Sequence, residues 1–239
     1  MTEAAALVLD KTIGGVPARE LAETYGTPLF VVDLDALDLE IDRLLRACEP
    51  RGIAVGYAGK AFLCAAFAEH LAATPLRLDV CSIGELVTAE RGGFPSTRMY
   101  FHGCGKTDEE LRAIVERRVA FDVVDNREEL ERLAAIASAD DPVDVMLRVN
   151  TGIEAHTHAF IRTGGENTKF GIPAASLGET LRRVAGLPQL RLIGVHAHVG
   201  SQISEVGTFL ANLDELVAAG ESARRLGLPV GELLCGGGI

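Results

Sequence analysis

The chain has 239 residues, 48% hydrophobic and 24% charged, with 23 Lys+Arg against 34 Asp+Glu; this composition excludes disordered and fibrous classes, and the length suffices to bury a core in one large α/β domain or two small ones. A net charge of -11, with no basic run of five or more residues, argues against nucleic acid or an anionic membrane as partner. The opening MTEAAALVLDK has no basic segment leading into an apolar one, and no window reaches the ~18 uninterrupted apolar residues of a membrane span, which points to a cytoplasmic protein.

Residues 1–30 precede any regular pattern and read as a separate structural unit. From there, short apolar or β-branched runs alternate with amphipathic segments. The runs are Leu29–Val32, Ile53–Tyr57, Leu76–Val80, Arg98–Phe101, Ala120–Val124, Val143–Val149, Leu190–Val199 and Glu232–Cys235. Between them, Leu34, Leu37, Ile41, Leu44 and Leu45 recur at helical spacing, as do Leu111, Ile114 and Val115, then Leu130, Leu133 and Ile136. Ser82 with Glu85 and Thr107 with Glu110 have capping-box spacing, Asn126 with Glu129 resembles it, and Gly92 and Gly227 stand where a helix end takes a positive φ. Repeated βα units predict a parallel sheet. Setting the first run aside, seven strands remain, which suits a (β/α)₈ barrel short of one strand better than a doubly wound sheet. The stretch from Asn150 to Gly171 reads as a long functional loop. Five scattered cysteines (Cys48, Cys64, Cys81, Cys104, Cys235) form no C-x-x-C and read as reduced thiols.

Barrel chemistry sits at the C-terminal ends of strands, so polar residues there carry the functional reading. Lys60 follows an apolar strand directly; desolvated, such an amine forms a Schiff base with a substrate carbonyl or with pyridoxal phosphate, the alternative being a helix-start lysine in solvent. In His196-Ala197-His198-Val199-Gly200-Ser201-Gln202 the strand period sends both histidines to one face. There they either bind zinc, with Asp79 and His102 as further candidate ligands, or one ring stacks on an aromatic cofactor while Ser201 binds its phosphate. Gly236, Gly237 and Gly238 follow another strand, as a phosphate cradle or as a flexible turn. His156 and His158, in the loop, read as solvated.

Taken together, YAGKAF, LDVCSIGEL, FHGCGK, LRVNTGIEAHTH, TKFGI, HAHVGSQI and CGGGI resemble, in order, the fold-type III pyridoxal phosphate decarboxylases, and within them the branch that acts on diaminopimelate. Phe62 departs from the YAxKAN pattern of many members. The resemblance implies an alanine racemase-like TIM-type barrel over residues 31–239 that stops before its eighth strand, a segment 1–30 that packs with a β domain absent here, and hence an N-terminal portion, inactive alone, of a homodimeric carboxy-lyase converting meso-2,6-diaminopimelate to L-lysine. Ornithine, arginine or carboxynorspermidine decarboxylation remains as an alternative, as does a cofactor-carrying barrel without decarboxylase activity. Residue by residue, the resemblance makes Lys60 the lysine that holds pyridoxal 5'-phosphate and His198 the ring stacked on it. It makes Gly200, Ser201 and Gly236 to Gly238 the phosphate binders, and puts Asp79 and Arg148 beside the cofactor. No metal is implied. The partner is a small amino acid.

Overall fold

The computed structural model describes residues 11–153, 169–201, 203 and 205–238. The loop histidines His156 and His158 lie outside the described residues, as does Gln202. Two compact units divide the chain, residues 1–55 and 56–239.

In the first unit, strands β1 (Thr12–Ile13) and β2 (Val16–Pro17) form a small antiparallel hairpin. Its turn is Gly14-Gly15, with φ of +57° and +78°, the pair of positive values that a two-residue hairpin turn requires. Helices α1 (Ala18–Tyr25) and α2 (Leu34–Cys48) follow. Asp33 does two jobs: one carboxylate oxygen accepts from Gly14 N at 3.0 Å, and the other caps α2 by accepting from Ala36 N at 3.0 Å. The expected strand at Leu29–Val32 is absent. Its residues find no ladder partner among those described and are all exposed, Phe30 at 95%, so apolar content alone does not make a strand there.

The second unit is built from βα repeats. Strands β3 (Gly56–Ala58), β4 (Arg77–Val80), β5 (Met99–Phe101), β6 (Phe121–Val124), β7 (Val143–Asn150), β9 (Leu190–His198) and β10 (Glu232–Gly236) pair in the order β10-β9-β7-β6-β5-β4-β3, and the two-residue β8 (Ile172–Pro173) pairs with the end of β7. Every pairing in this sheet is parallel. Helices α3 (Ala65–Ala72), α4 (Ile83–Arg91), α5 (Asp108–Glu116), α6 (Arg127–Ile136), α7 (Ala174–Ala185) and α8 (Val206–Arg225) alternate with the strands.

The sheet is strongly curled. Arg77 on β4 and Glu232 on β10 are five strand steps apart, roughly 24 Å in a flat sheet at ~4.8 Å per step, yet Arg77 Nη1 donates to Glu232 Oε2 at 3.2 Å. A Cβ on Gly56 would fall 1.7 Å from the Tyr100 hydroxyl, so Tyr100 crosses the interior to the β3 backbone. Tyr100, Phe121, Val123 and Met146 fill that interior, with Ile193 and Leu234 against them. This is the curled parallel sheet with outer helices expected of a TIM-type barrel.

The helix starts follow their sequence signals with one instructive change. Thr107 and Glu110 close a full capping box. Ser82 and Asn126 accept from the N3 amides of Glu85 and Glu129, but both glutamate carboxylates turn elsewhere. Glu85 accepts from Cys81 N at 2.7 Å. Glu129 takes a hydrogen bond from Lys106 Nζ at 2.6 Å, and the same ammonium lies 3.0 Å from Asp122. That ion cluster is buried behind β5 and β6 and anchors the segment following His102; burial and the neighbouring Asp122 push the Glu129 carboxyl up.

Helix α4 ends differently from expectation. Gly92 has φ -80°, and the positive φ, +74°, belongs to Gly93. Gly92 is required by proximity instead, since a Cβ there would meet the Ala65 carbonyl at 2.4 Å and Glu69 N at 2.8 Å. Gly92→Ala is expected to cost about 1–3 kcal/mol by overpacking, and Gly93→Ala about 1 kcal/mol by left-handed strain alone. Urea unfolding of the two variants checks the order, and a larger loss at Gly93 would refute the packing account.

Candidate active site

The C-terminal strand ends of the second unit gather the polar residues singled out in the sequence. After β3 the chain makes a 3-10 turn over Gly59–Ala61, placing Lys60 at the mouth, exposed. Gly59 permits this turn: a Cβ would lie 2.8 Å from the Asp79 carbonyl. Asp79, on β4, is nearly buried. Burial pushes its carboxyl up to about 7, the charge of Lys60 opposing that rise and Glu85 adding to it. The Cys81 thiol donates weakly to Asp79 Oδ1 at 3.8 Å and is itself pushed up to about 12, by burial first and then by Asp79 and Glu85.

His102 follows β5, where its N–H donates to the Val80 carbonyl at 2.7 Å. It is 8% exposed; its Nε2 makes no hydrogen bond and stands 3.7 Å from Asp79 Oδ1. Its ring meets His196 edge-on at 4.8 Å. His196 is buried on β9, with Nδ1 2.9 Å from the Leu234 carbonyl; a carbonyl only accepts, so this bond places the proton of the neutral ring on Nδ1. Burial, followed by the charge of Arg148, lowers His196 to about 3, and burial, followed by Lys60 and Arg148, lowers His198 to about 4. All three imidazoles are held neutral at pH 7, His102 also being lowered, chiefly by burial. Arg148, on β7, donates to Asp125 Oδ1 at 3.2 Å, and its guanidinium lies 4.6 Å from the centre of the Phe170 ring.

The glycine segments lie side by side beyond β9 and β10. Val199 N donates to the Gly236 carbonyl at 3.3 Å, Gly238 N to the Gly200 carbonyl at 3.0 Å, and Ile203 N to the Gly238 carbonyl at 2.9 Å. Gly200 adopts φ +137°, a conformation closed to ordinary side chains. A Cβ on Gly236 would stand 2.8 Å from His198 Nδ1. Ser201 is half-buried within the first segment. Lys60, Asp79, Arg148 and His198 thus form one electrostatically coupled group, and Gly200 is joined to Gly236–Gly238 by the backbone. Asp125 and Phe170, the partners of Arg148, carry no motif of their own in the residue order, and Glu85, at capping-box spacing from Ser82, accepts from Cys81 N and adds its charge beside Asp79. Among the described residues no three His, Cys, Asp or Glu side chains converge to hold a metal ion, and no helix is long and apolar enough to cross a membrane.

A family model described as pyridoxal-dependent decarboxylase, pyridoxal binding domain, matches residues 40–239. The chain belongs to this family. Among curated members of the pyridoxal-dependent decarboxylases, it is 45% identical to diaminopimelate decarboxylase of Mycobacterium tuberculosis over 200 residues, covering 82% of this chain and 44% of that protein. It is 40% identical to the diaminopimelate decarboxylase of Bacillus subtilis over 210 residues, 85% of this chain and 48% of the relative. Among solved structures, diaminopimelate decarboxylase of M. jannaschii superposes with a TM-score of 0.85 at 28% identity, over 94% of this chain and 54% of that one. The Helicobacter pylori enzyme complexed with L-lysine gives 0.85 at 27%, over 90% and 55%. The chain spans about half the length of the relatives it matches.

The residues present suit the cofactor that gives this family its name. A primary amine opens into the mouth, a neutral imidazole is electrostatically linked to it, and a glycine run lies against that imidazole, a Cβ on Gly236 falling 2.8 Å from its Nδ1, with Gly200 joined to the run by backbone hydrogen bonding. A group carrying an aldehyde, an aromatic ring and a phosphate matches all three.

The raised carboxyl of Asp79 has a measurable consequence. Its folded value of about 7 lies above the ordinary 3.8, so ionisation opposes folding: the penalty is absent below about pH 4, grows through the interval up to 7 and is complete above it. Asp79→Asn should therefore stabilise the cofactor-free chain at pH 8 by on the order of 2–4 kcal/mol relative to its effect at pH 4. Denaturant titrations at the two pH values test this, and a pH-independent difference would show that Asp79 ionises normally.

Proposed function

We propose that this chain is the cofactor-binding barrel domain of an enzyme that decarboxylates meso-2,6-diaminopimelate to L-lysine. The observation that carries the reading is the meeting, at one barrel mouth, of Lys60, its buried carboxyl neighbour Asp79, the neutral His198 and the paired glycine segments. The identity of about 40–45% with curated diaminopimelate decarboxylases supports the substrate. The same reading carries a cytoplasmic homodimer in which residues 1–30 pack with a β domain and residues 31–239 form the barrel.

Pyridoxal phosphate, when bound, supplies an electron sink for the pair left as the substrate's α-carboxylate departs as carbon dioxide. The chain's part is to hold and orient. Lys60 Nζ would hold the cofactor covalently, and Asp79, whose carboxyl burial raises to about 7 against the opposing charge of Lys60, is the titratable neighbour that would set the charge beside that amine. His198 is held neutral near pH 7, so its ring would pack against the cofactor without adding a cation to a mouth that already holds Lys60 and Arg148. Gly200 and Gly236 to Gly238 would hold the phosphate, because the absence of side chains lets backbone amides approach an oxyanion closely, and the Ser201 hydroxyl would add a donor. Arg148, fixed by Asp125 and Phe170, contributes a positive charge whose direction is set from two sides.

Borohydride reduction of the chain incubated with pyridoxal phosphate should label the peptide containing Lys60; label confined to Lys106 or Lys169 would overturn the assignment. Lys60→Arg should abolish labelling there, since a guanidinium with a pKa above ~12 remains protonated.

In the natural protein that contains residues 1–239, carbon dioxide release from meso-2,6-diaminopimelate should exceed that from ornithine or arginine, and a reversed preference would replace the substrate. His198→Ala should lower the rate about 10²-fold or more, while His196→Ala acts through stability, having lost a buried hydrogen bond worth ~1 kcal/mol. Equal loss of rate at equal thermal stability would refute this division between the two histidines.

A further inference from the structure

Helix α8 reaches the mouth from behind through two residues that the family resemblance leaves without a role. Asn212 is fully buried, 0% exposed. Its Oδ1 accepts from Thr151 Oγ1 at 3.0 Å, and its Nδ2 donates to Cys235 Sγ at 3.4 Å. Thr151 immediately follows β7 and Cys235 belongs to β10, and these strands flank β9 in the sheet. The single amide of Asn212 therefore spans the strand that carries His196 and His198. Near it on the helix, Phe209 packs against Val199 and Ile203, and a Cβ on Gly237 would lie 2.6 Å from Phe209 Cε1, so the glycine backbone rests on the ring.

We infer that Asn212 and Phe209 are positioning residues for the phosphate end of the cofactor site: Asn212 ties the ends of β7 and β10, and Phe209 is the floor beneath Gly237. The inference rests on the reading that Gly200, Ser201 and Gly236 to Gly238 hold the phosphate. Glycine segments have the widest conformational freedom of any backbone and no side chains with which to fix themselves. Amides that must meet an oxyanion within a few tenths of an ångström therefore need their geometry imposed from outside. The hydrogen bonds from Val199, Ile203 and Gly238 tie the two segments to each other, and α8 ties the pair to the rest of the sheet. Asparagine suits the position because one amide both accepts and donates. Leucine keeps the volume and loses both bonds, and aspartate loses the donor and buries a charge.

The test is a titration of the full chain with pyridoxal phosphate and with pyridoxal, which lacks the phosphate, followed by the absorbance of the lysine-bound form. The parent chain should prefer pyridoxal phosphate. Asn212→Leu and Phe209→Ala should weaken its binding about tenfold or more while leaving pyridoxal within about twofold, since only the phosphate end is disturbed. Leu130→Ala, which opens a cavity behind β6, should lower thermal stability without changing the preference. Cys235→Ser, which keeps an acceptor for Asn212, should retain the preference, and Cys235→Val should lose part of it; this pair decides the matter if the Asn212 variant fails to fold. Equal loss for both ligands, or an unchanged preference in the variants, overturns the inference. A parent chain that does not discriminate the two ligands overturns the phosphate reading beneath it.

Discussion

The constraint on which the mouth depends is the parallel register of the sheet. Parallel ladders fix the height of each strand against the next, and here they set Ala58 beside Asp79, Arg148 beside His196, and Gly236 beside His198. A slip of one residue would turn every one of these side chains to the opposite face. Two of the matches are enforced by backbone so close that only glycine fits. Gly59 lies against the Asp79 carbonyl, and Gly236 against the His198 ring. The amine, the imidazole and the glycine segments therefore reach the mouth at heights decided by ladder hydrogen bonds.

Burial at those heights then decides the charges. His102, His196 and Arg148 lie within a tenth of full burial, and water that would stabilise ionised forms is largely excluded. The imidazoles respond by staying neutral, and Asp79 by holding its proton up to about 7. The Arg148 guanidinium is given Asp125 and the face of Phe170 as partners. The result is a strand-end cluster of neutral rings around the Arg148 cation, with Lys60 exposed beside them.

Much of this was legible in the residue order because strand ends are punctuated locally. Lys60 after Tyr57-Ala58-Gly59, the pair His196 and His198, and the run Gly236 to Gly238 each lie within a few residues of the strand that positions them, and the parallel sheet followed from the alternation of runs. Leu29–Val32 misled because an apolar run states a preference for burial without supplying a ladder partner. Gly92 misled because its requirement comes from Ala65 and Glu69 on another helix, whereas its φ is ordinary. The capping glutamates Glu85 and Glu129 carry the spacing of a box while their carboxylates answer partners inside the fold. Asn212 and Phe209 gave no signal at all: Asn212 is bonded to residues 61 and 23 positions away, and nothing in the helical pattern of α8 sets it apart from a core polar residue.

The order of strands in the sheet is the order of strands in the chain, from β3 at one edge to β10 at the other, apart from the short β8. A nascent polypeptide leaving the ribosome can thus lay down each βα unit on an edge already formed, without waiting for a distant segment to return. The contact between Arg77 and Glu232 spans 155 positions, and both it and the pairing of Gly236 with His198 need the last strand described. The mouth is accordingly split along the chain: its lysine side lies at the first strand of the sheet, and the glycine pairing that completes it at the last strand described.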